Sequence, residues 1–210
     1  TMKSLQKWAT IHRLKFDIPV IAITGSNGKT ITKEWLSQLL SKHYNVVRSP
    51  KSYNSQIGVP LSVLLIDETH EVAVIEAGVS QPNEMKYLEE IIKPTICILT
   101  NIGDAHSSGF EGDGLVNLER KLKEKSILFR DCKELIFYSG EDSNPNVIDA
   151  LKFIVKKEKQ RSYSYEILEG GKVKFSFYGK SLILELPFLD EASTQNILAS
   201  ISVMCLLGID

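Results

Sequence analysis

The motif G-x-x-G-K-T, formed by Gly25, Gly28, Lys29 and Thr30, has the residue types that bind the phosphate groups of a nucleotide. Glycine lets the backbone approach an anion closely, and the amides that begin the following helix favour negative charge. The lysine can reach the β and γ phosphates, and the threonine hydroxyl can coordinate Mg²⁺. The common phosphate loop is longer, G-x-x-x-x-G-K-[ST], and its first glycine would fall at Ile23. With a strand before it and an amphipathic helix after it, the shorter motif predicts an ATP or GTP site.

A carboxylate at the end of a second apolar segment could serve the same nucleotide. Glu76 ends the segment VAVIE, and Gly78 follows it. Ligands of open α/β sheets bind at the carboxyl ends of strands, so a glutamate there is a candidate Mg²⁺ ligand. A glutamate at this position can also simply face solvent.

A third polar cluster follows the next apolar segment. It contains Thr100, Asn101, Asp104 and His106, with glycines that open the loop. A histidine in a loop is commonly a surface or loop-stabilising residue. Its predicted position at the same sheet edge as Lys29 favours a role in the nucleotide site.

Two lysines fall inside the apolar arc of a predicted helix, 115–129. At 100° per residue, Lys121 and Lys125 share the face of Leu118 and Leu122. Their stems could pack while the ammonium groups reach water. Alternatively, partial burial could lower the pKa of one of them and make a neutral amine available for chemistry. The periodicity does not choose between these interpretations or between the two lysines.

The elements that carry these residues alternate between strands and helices. This rhythm predicts an α/β fold with a mostly parallel sheet and helices on both faces. Besides the strand before the loop, strands are expected at 45–48, 72–76, 95–100 and 134–138. Helices are expected at 29–43, 59–65, 83–92, 115–129 and 144–155.

The pattern changes after about Arg161. The segments SYSYEIL, KVKFSFYG and SLILELP, separated by glycines, predict a small antiparallel β meander. A last helix is expected over 193–207, with Ser193 as its N-cap. The basic run of Lys156, Lys157, Lys159 and Arg161 is interpreted as a solvated helix end and linker.

Composition excludes several classes of protein. The 210 residues are 43% hydrophobic and carry a formal net charge of −1, so a full core can form and a dedicated nucleic-acid binder is disfavoured. The odd number of cysteines and their spacing suggest neither disulfides nor a zinc site. No apolar run is long enough to span a bilayer, and no secretion signal is evident. We therefore expect a cytoplasmic protein without membrane insertion.

These motifs together resemble the Mur ligases, ATP-dependent enzymes that build the peptide of the bacterial cell-wall precursor. The resemblance covers nearly the whole chain and rests on ITGSNGKT, SPKSYNSQIGVPLSVL, VIEAG, TNIGDAH, NLERKLKEK and the closing EASTQNILASISVMCLLGI. It implies that 1–210 is the central ATP-binding domain of such an enzyme. The uridine-nucleotide domain before it and the ligase domain after it would be missing, and the isolated domain would be inactive.

The resemblance assigns roles to matching positions. Beside ATP it places Gly25, Ser26, Asn27, Gly28, Lys29, Thr30, Asn101 and Asn196. To two Mg²⁺ ions it gives Thr30, Glu76, His106 and a carbamylated Lys125, so that the catalytic set is Lys29, Glu76, His106 and Lys125. Against the substrate it places Asn54 and Gln56. Carbamylation would turn a lysine into an anionic ligand, because CO₂ adds to the neutral amine.

Within the family, KEWLSQLL, SPKSYNSQIGVPLS and EAGVSQPNEM most resemble the branch that joins D-alanyl-D-alanine to UDP-MurNAc-tripeptide, in the form fused to an alanine racemase in Bacteroidetes. The chain departs from the family pattern at Ile127, where an acidic residue often stands, and at Ala192 and Ser193, where His-Asn is common. Another Mur ligase, a folylpolyglutamate synthase-like ligase and a non-catalytic nucleotide-binding module remain as alternatives.

Overall fold

The computed structural model describes residues 1–102, 114–141 and 143–209, without the side chains of residues 114–116 and 153–154. The strands in these ranges are β1 (Val20–Thr24), β2 (Val46–Arg48), β3 (Val72–Glu76), β4 (Ile96–Leu99), β5 (Glu134–Tyr138), β6 (Gln160–Ile167), β7 (Lys172–Phe177) and β8 (Lys180–Glu185). They form one sheet in the order β2-β3-β1-β4-β5-β6-β7-β8. The strands from β2 to β6 in this order run parallel, which confirms the predicted fold class.

Helices cover both faces of the sheet. They are α1 (Met2–Arg13), α2 (Lys29–Leu40), α3 (Gly58–Val63), α4 (Met85–Ile92), α5 (Gly114–Ser126), α6 (Pro145–Ile154) and α7 (Glu191–Leu206). Helices α2 and α7 pack against each other on one face, and the other helices lie on the opposite face. None of the helices in the described ranges is long and apolar enough to cross a bilayer.

The first four residues of the central strand β1 are apolar because helices cover both faces of the strand. Its residues alternate between two cores, with Val20 and Ala22 on the side of α1 and Ile21 and Ile23 on the side of α2. All four are fully buried. A strand covered on both faces needs a continuous apolar run, which is the pattern that the sequence carries.

The predicted meander is confirmed and extends the main sheet. Strand β6 pairs in parallel with β5 and antiparallel with β7, which in turn pairs antiparallel with β8. The buried ring of Tyr163 in β6 packs in the core beneath α7, and its hydroxyl donates to the Gln195 oxygen at 2.9 Å. The meander is therefore part of the same core as α2 and α7.

One expectation about helices was wrong, and another helix ends earlier than expected. The last helix begins at Glu191, and its N-cap is Asp190, whose carboxylate accepts the Ser193 amide at 2.9 Å. Both Asp and Ser are good caps, and the predicted one was the third residue inside the helix. The helix expected over 115–129 is α5 followed by a 3-10 turn, Ile127–Phe129. Helix α1 was not predicted, although it covers one end of the parallel core.

Candidate nucleotide and metal site

Three of the predicted segments meet at the carboxyl edge of the sheet. Strand β1 lies between β3 and β4, with Ile23 paired to Glu76 and Thr24 paired to Leu99. The loop after β1, the carboxylate that ends β3 and the residues after β4 are therefore neighbours. Parallel strand order brings together motifs that are far apart in the sequence.

Both glycines of the loop stand where a side chain is excluded. Gly25 has φ 150° and Gly28 has φ 80°. A Cβ on Gly25 would lie 2.0 Å from Thr100 Oγ1, and a Cβ on Gly28 would lie 2.4 Å from Asn196 Oδ1. The loop is packed against the segment after β4 and against α7, so that only glycine fits at either position.

Asn101 braces the loop from the side of β4. Its backbone oxygen accepts the Ser26 amide at 2.9 Å, and its Oδ1 accepts the Asn27 amide at 2.8 Å. These two amides are therefore engaged within the protein. Amides in the first turn of an α-helix have no intrahelical acceptor, so those of Lys29 and Thr30 are donors that can face an anion.

Lys29 folds back over the loop that precedes it. Its Nζ donates to the backbone oxygens of Gly25 at 2.9 Å and Ser26 at 3.0 Å. Burial lowers the pKa of Lys29, and the charge of Glu76 opposes this shift. The ammonium group is thus held at the loop, where a phosphate anion would offer it better acceptors than neutral carbonyls.

Thr30 and Glu76 form a compact pair of oxygen ligands. The Thr30 hydroxyl donates to Glu76 Oε2 at 2.9 Å, and the Asn54 side-chain amide donates to Oε1 at 2.6 Å. The Glu76 residue is only 1% exposed. A hydroxyl beside a carboxylate is a donor set that suits Mg²⁺, so these residues fit the predicted ion. The contact also places Asn54 directly beside the two candidate metal ligands.

The structure separates the two lysines of α5. Both are buried, at 3% exposure for Lys121 and 7% for Lys125. The Nζ of Lys125 donates to the backbone oxygen of Gly25 at 3.2 Å, which puts it beside the loop. Burial, and after it the charges of Lys29 and Lys121, lower the pKa of Lys125 to about 8. A fraction of Lys125 amines is therefore neutral near physiological pH, at a position beside the loop.

Glu124 fixes the position of the helix that carries Lys125. Its two carboxylate oxygens accept the backbone amides of Asn83 at 2.9 Å and Met85 at 2.8 Å. These amides belong to the start of α4, which otherwise has no side-chain cap. The carboxylate thus caps α4 from α5, and Lys125 follows it directly in the chain.

A cavity of about 440 Å³ lies beside the loop. It is lined by Met2, Lys29, Asn54, Ser55, Gln56, Ile57, Gly78, Val79, Ser80, Glu84 and Lys125. Four of the predicted residues, two lysines and two amides, thus surround one space. Gln56 is tied there by its Nε2, which donates to the Glu84 oxygen at 3.1 Å.

A smaller cleft, of about 140 Å³, is lined in part by Asn101. Apolar side chains, among them Leu99, Phe137 and Val147, form much of its lining. Gln195 of α7 also lines it, and the next residue, Asn196, accepts the Thr32 hydroxyl at 3.1 Å. Asn101 therefore borders both the loop and this cleft, and Asn196 contacts the loop at Gly28.

Two of the predicted polar residues lie outside the described part of the chain. His106 was expected to bind a metal ion, and Asp104 belonged to the same cluster. Conversely, sequence reasoning missed two residues: Lys33, whose Nζ lies 3.9 Å from Glu76 Oε2, and Glu124, which accepts the Met85 amide and directly precedes Lys125 in α5. No local sequence pattern distinguishes either residue from a solvated charge on a helix.

Residues 23–204 match the sequence profile of the family described as Mur ligase middle domain. The chain belongs to the Mur ligase family. The resemblance carried by the phosphate loop and the segments after β3 and β4 is thereby confirmed. The match includes most of the chain, from the central strand to the closing helix.

Other Mur ligases support this assignment in sequence. The UDP-N-acetylmuramoyl-tripeptide--D-alanyl-D-alanine ligase of Borreliella burgdorferi is 35% identical over 214 residues, which are 99% of this chain and 45% of that relative. The chain therefore spans about half the length of the curated relatives that it matches.

Solved Mur ligase structures share the fold. MurF from Acinetobacter baumannii superposes with a TM-score of 0.83 at 26% identity, covering 100% of this chain and 48% of that one. The MurF ligase from Thermotoga maritima, solved in complex with ADP, gives a TM-score of 0.82 at 25% identity and covers 100% and 50%. The α/β architecture with its antiparallel end is thus the Mur ligase middle-domain fold.

Proposed function

We propose that the full-length protein joins D-alanyl-D-alanine to UDP-MurNAc-tripeptide and that this chain is its ATP-binding part. The relative from Borreliella burgdorferi is named for this reaction. Because the chain spans 45% of that relative, flanking domains of the same polypeptide would complete the substrate sites. The alanine racemase fusion stays a prediction.

One observation carries the proposal. Lys29 and Lys125 converge on the Gly25 oxygen at 2.9 and 3.2 Å, beside the Thr30 and Glu76 pair. Two lysine side chains and two oxygen ligands, contributed by α2, α5 and β3, suit a polyphosphate and its metal ion. A loop that only bound a nucleotide would not need Lys125, which reaches it from α5.

The proposed reaction has two steps. The terminal carboxylate of the tripeptide attacks the γ-phosphorus of ATP, and ADP leaves from the resulting acyl phosphate. The amine of D-alanyl-D-alanine then attacks the acyl carbon, phosphate leaves, and the nitrogen gives up a proton to form the amide. No protein nucleophile is needed, so catalysis rests on positioning and on charge.

The roles of the residues follow from this reaction. Lys29 would balance negative charge on the transferring oxygens, and the first-turn amides of α2 would orient the phosphates. Thr30 and Glu76 would hold one Mg²⁺, and His106 would serve a second. Bound Mg²⁺ would supply further positive charge at the γ-phosphoryl group.

Lys125 would act as a carbamate. Its amine, with a pKa of about 8, is neutral in a useful fraction of molecules at pH 7 to 8. The nitrogen would form a bond to the carbon of CO₂ and release a proton, which leaves an anionic carboxylate at the end of the side chain. That anion would remove the repulsion between Lys125 and Lys29 and would offer oxygen atoms to the second metal ion.

The two cavities suggest where the substrates lie. The cavity of about 440 Å³ contains Asn54 and Gln56 beside Lys29 and Lys125, so it would receive the reacting end of the UDP-sugar peptide. The apolar cleft beside Asn101 would receive the adenine ring, near Asn196.

The test is substrate-dependent release of phosphate from ATP by the full-length protein. We expect release only when UDP-MurNAc-tripeptide and D-alanyl-D-alanine are both present, with amide product in equal amount. Dependence on a different amino acid or on a folate would indicate another ligase of the superfamily. Nucleotide binding without any stimulated release would indicate a non-catalytic module and would refute the proposal.

A further inference from the structure

Lys33 is a fully buried cation for which the proposed reaction has no use. It lies on α2, one turn after the phosphate-binding Lys29, and its side chain is 0% exposed. A buried lysine is costly unless its charge and its N–H donors are satisfied. The partners of its ammonium group therefore indicate what the residue does.

Those partners join three elements. The Nζ of Lys33 donates to the backbone oxygen of Lys51, lies 3.0 Å from Glu34 Oε1 and lies 3.9 Å from Glu76 Oε2. Glu34 in turn pairs with Arg48 at 3.3 Å, at the end of β2. The lysine thus ties the phosphate-loop helix to β3 and to the segment that follows β2.

The segment 49–57 needs such an anchor because it is irregular. Lys51 has φ 46°, a left-handed conformation that costs a non-glycine residue energy unless its surroundings hold it there. The bond from Lys33 is made to this same residue. Three residues later, Asn54 donates to Glu76 Oε1 and accepts the Gly78 amide through its backbone oxygen at 2.8 Å.

We propose that Lys33 is a positioning residue that holds the segment 49–57 in place, so that Asn54 reaches both Glu76 and the cavity of about 440 Å³. The ligand that depends on it is the peptide-bearing uridine nucleotide. This last step rests on the proposed function. The phosphate loop has its own anchors in Asn101 and Asn196, so ATP binding depends on Lys33 far less.

The variant Lys33→Met tests the proposal in the full-length protein, because methionine keeps the length of the stem and removes the donors. Hydrogen exchange of residues 49–57 is expected to accelerate about tenfold, as for loss of one charged hydrogen bond, while residues 25–30 keep their protection. Ser37→Ala is the matched control. It lies one turn further on α2, is 3% exposed, and its hydroxyl has no hydrogen-bond partner in the described ranges.

Steady-state kinetics supply the second measurement. Lys33→Met is expected to raise the KM for UDP-MurNAc-tripeptide about tenfold, with the KM for ATP within about twofold of wild type. Ser37→Ala should change neither. Lys33→Gln, which keeps an N–H donor on a shorter stem, is measured in parallel and replaces Lys33→Met if that variant does not fold.

The outcomes separate this proposal from the proposed function. Unchanged exchange at 49–57 in a folded variant would overturn the positioning role, whatever the enzyme does. Faster exchange with an unchanged KM for the uridine nucleotide, or equal losses for both substrates, would overturn the link to that substrate. A wild-type protein that does not turn over these substrates would refute the proposed function alone, and the exchange data would still decide the role of Lys33.

Discussion

Lys29 and Lys125 donate hydrogen bonds to the same backbone oxygen, that of Gly25, at 2.9 and 3.2 Å. One lysine comes from the helix after the phosphate loop and the other from α5, about a hundred residues later. Burial is the main cause of the low pKa of Lys125, and the charge of Lys29 is the next. The pair therefore stores electrostatic repulsion that an anion, bound or covalently formed, would relieve.

The lowered pKa of Lys125 predicts how stability depends on pH. Lys125 has a pKa of about 8 in the folded chain and an ordinary value of 10.5, so the unfolded chain binds more protons between these values. The contribution of this group to the free energy of unfolding therefore rises with pH across that window. Lys125→Met removes this penalty and should gain up to about 3 kcal/mol relative to wild type at pH 7, a gain that vanishes toward pH 10.5. Urea unfolding in bicarbonate-free buffer measures the difference.

An exposed lysine supplies the control for this experiment. The Lys152 side chain is 61% exposed and forms an ion pair only with Asp149 in the described ranges. Lys152→Met should differ from wild type by the same small amount at every pH between 7 and 10. A constant difference for Lys125→Met as well would contradict the lowered pKa.

Carbamylation of Lys125 can be observed directly. In ¹³C-bicarbonate, the wild-type protein should show a carbamate carbon resonance that increases as the amine is deprotonated near pH 8. Lys125→Met should abolish it, and Lys121→Met should retain it. A carbamate signal that follows Lys121 instead would reverse the assignment of the two lysines.

The loop glycine at the helix start offers a sterically defined test. Gly28→Ala should lower ADP affinity at least tenfold, about 1.4 kcal/mol, because its Cβ would meet Asn196 Oδ1 at 2.4 Å and force the loop to move. Gly170 is the matched control, since it has φ 76° against 80° but no atom within 4 Å of its Cβ position. Gly170→Ala should cost about 1 kcal/mol of stability and leave ADP affinity unchanged. Equal affinity losses for both variants would attribute the effect to general destabilisation.

The parts of the site that could be predicted from the sequence are those in which a chemically informative residue type follows a predictable strand. The phosphate loop and Glu76 were found because glycine, lysine and a carboxylate at strand ends have a direct chemical meaning. The strands at 72–76 and 134–138 were predicted with the bounds that the structure gives them, since two-sided burial demands continuous apolar runs.

The remaining parts depend on tertiary contacts that no local pattern records. From the sequence alone, Lys33 looks like a solvated lysine on a helix. Only its contacts with Lys51 and Glu76 show that it is buried and joins separate segments. The choice between Lys121 and Lys125 required the position of the Gly25 oxygen. The cap of α7 was misplaced because Asp190 and Ser193 both suit an N-cap and only the backbone angles separate them.

Glu124 gives a prediction about how α5 is held. Its carboxylate is the acceptor for the amides of Asn83 and Met85, so Glu124→Ala should leave two donors at the start of α4 without that partner. We expect a loss of about 1–2 kcal/mol in the free energy of unfolding. Glu119→Ala, at an exposed position on the same helix, should be nearly neutral. A stability loss no larger than that of the control would show that solvent replaces the cap.

The lysine of the phosphate loop gives the most direct test of catalysis. Lys29→Ala removes the ammonium group held at the Gly25 and Ser26 oxygens. Charge on the transferring phosphoryl group would then lack the balancing charge of Lys29, and ATP turnover by the full-length enzyme should fall at least about a hundredfold. Lys42→Ala, at an exposed position just beyond α2, should keep wild-type turnover. The melting temperature of Lys29→Ala should stay close to that of wild type. Removing a partly desolvated charge relieves a cost that offsets the lost hydrogen bonds. Unchanged turnover in a folded Lys29→Ala variant would remove the phosphate-binding role from this loop.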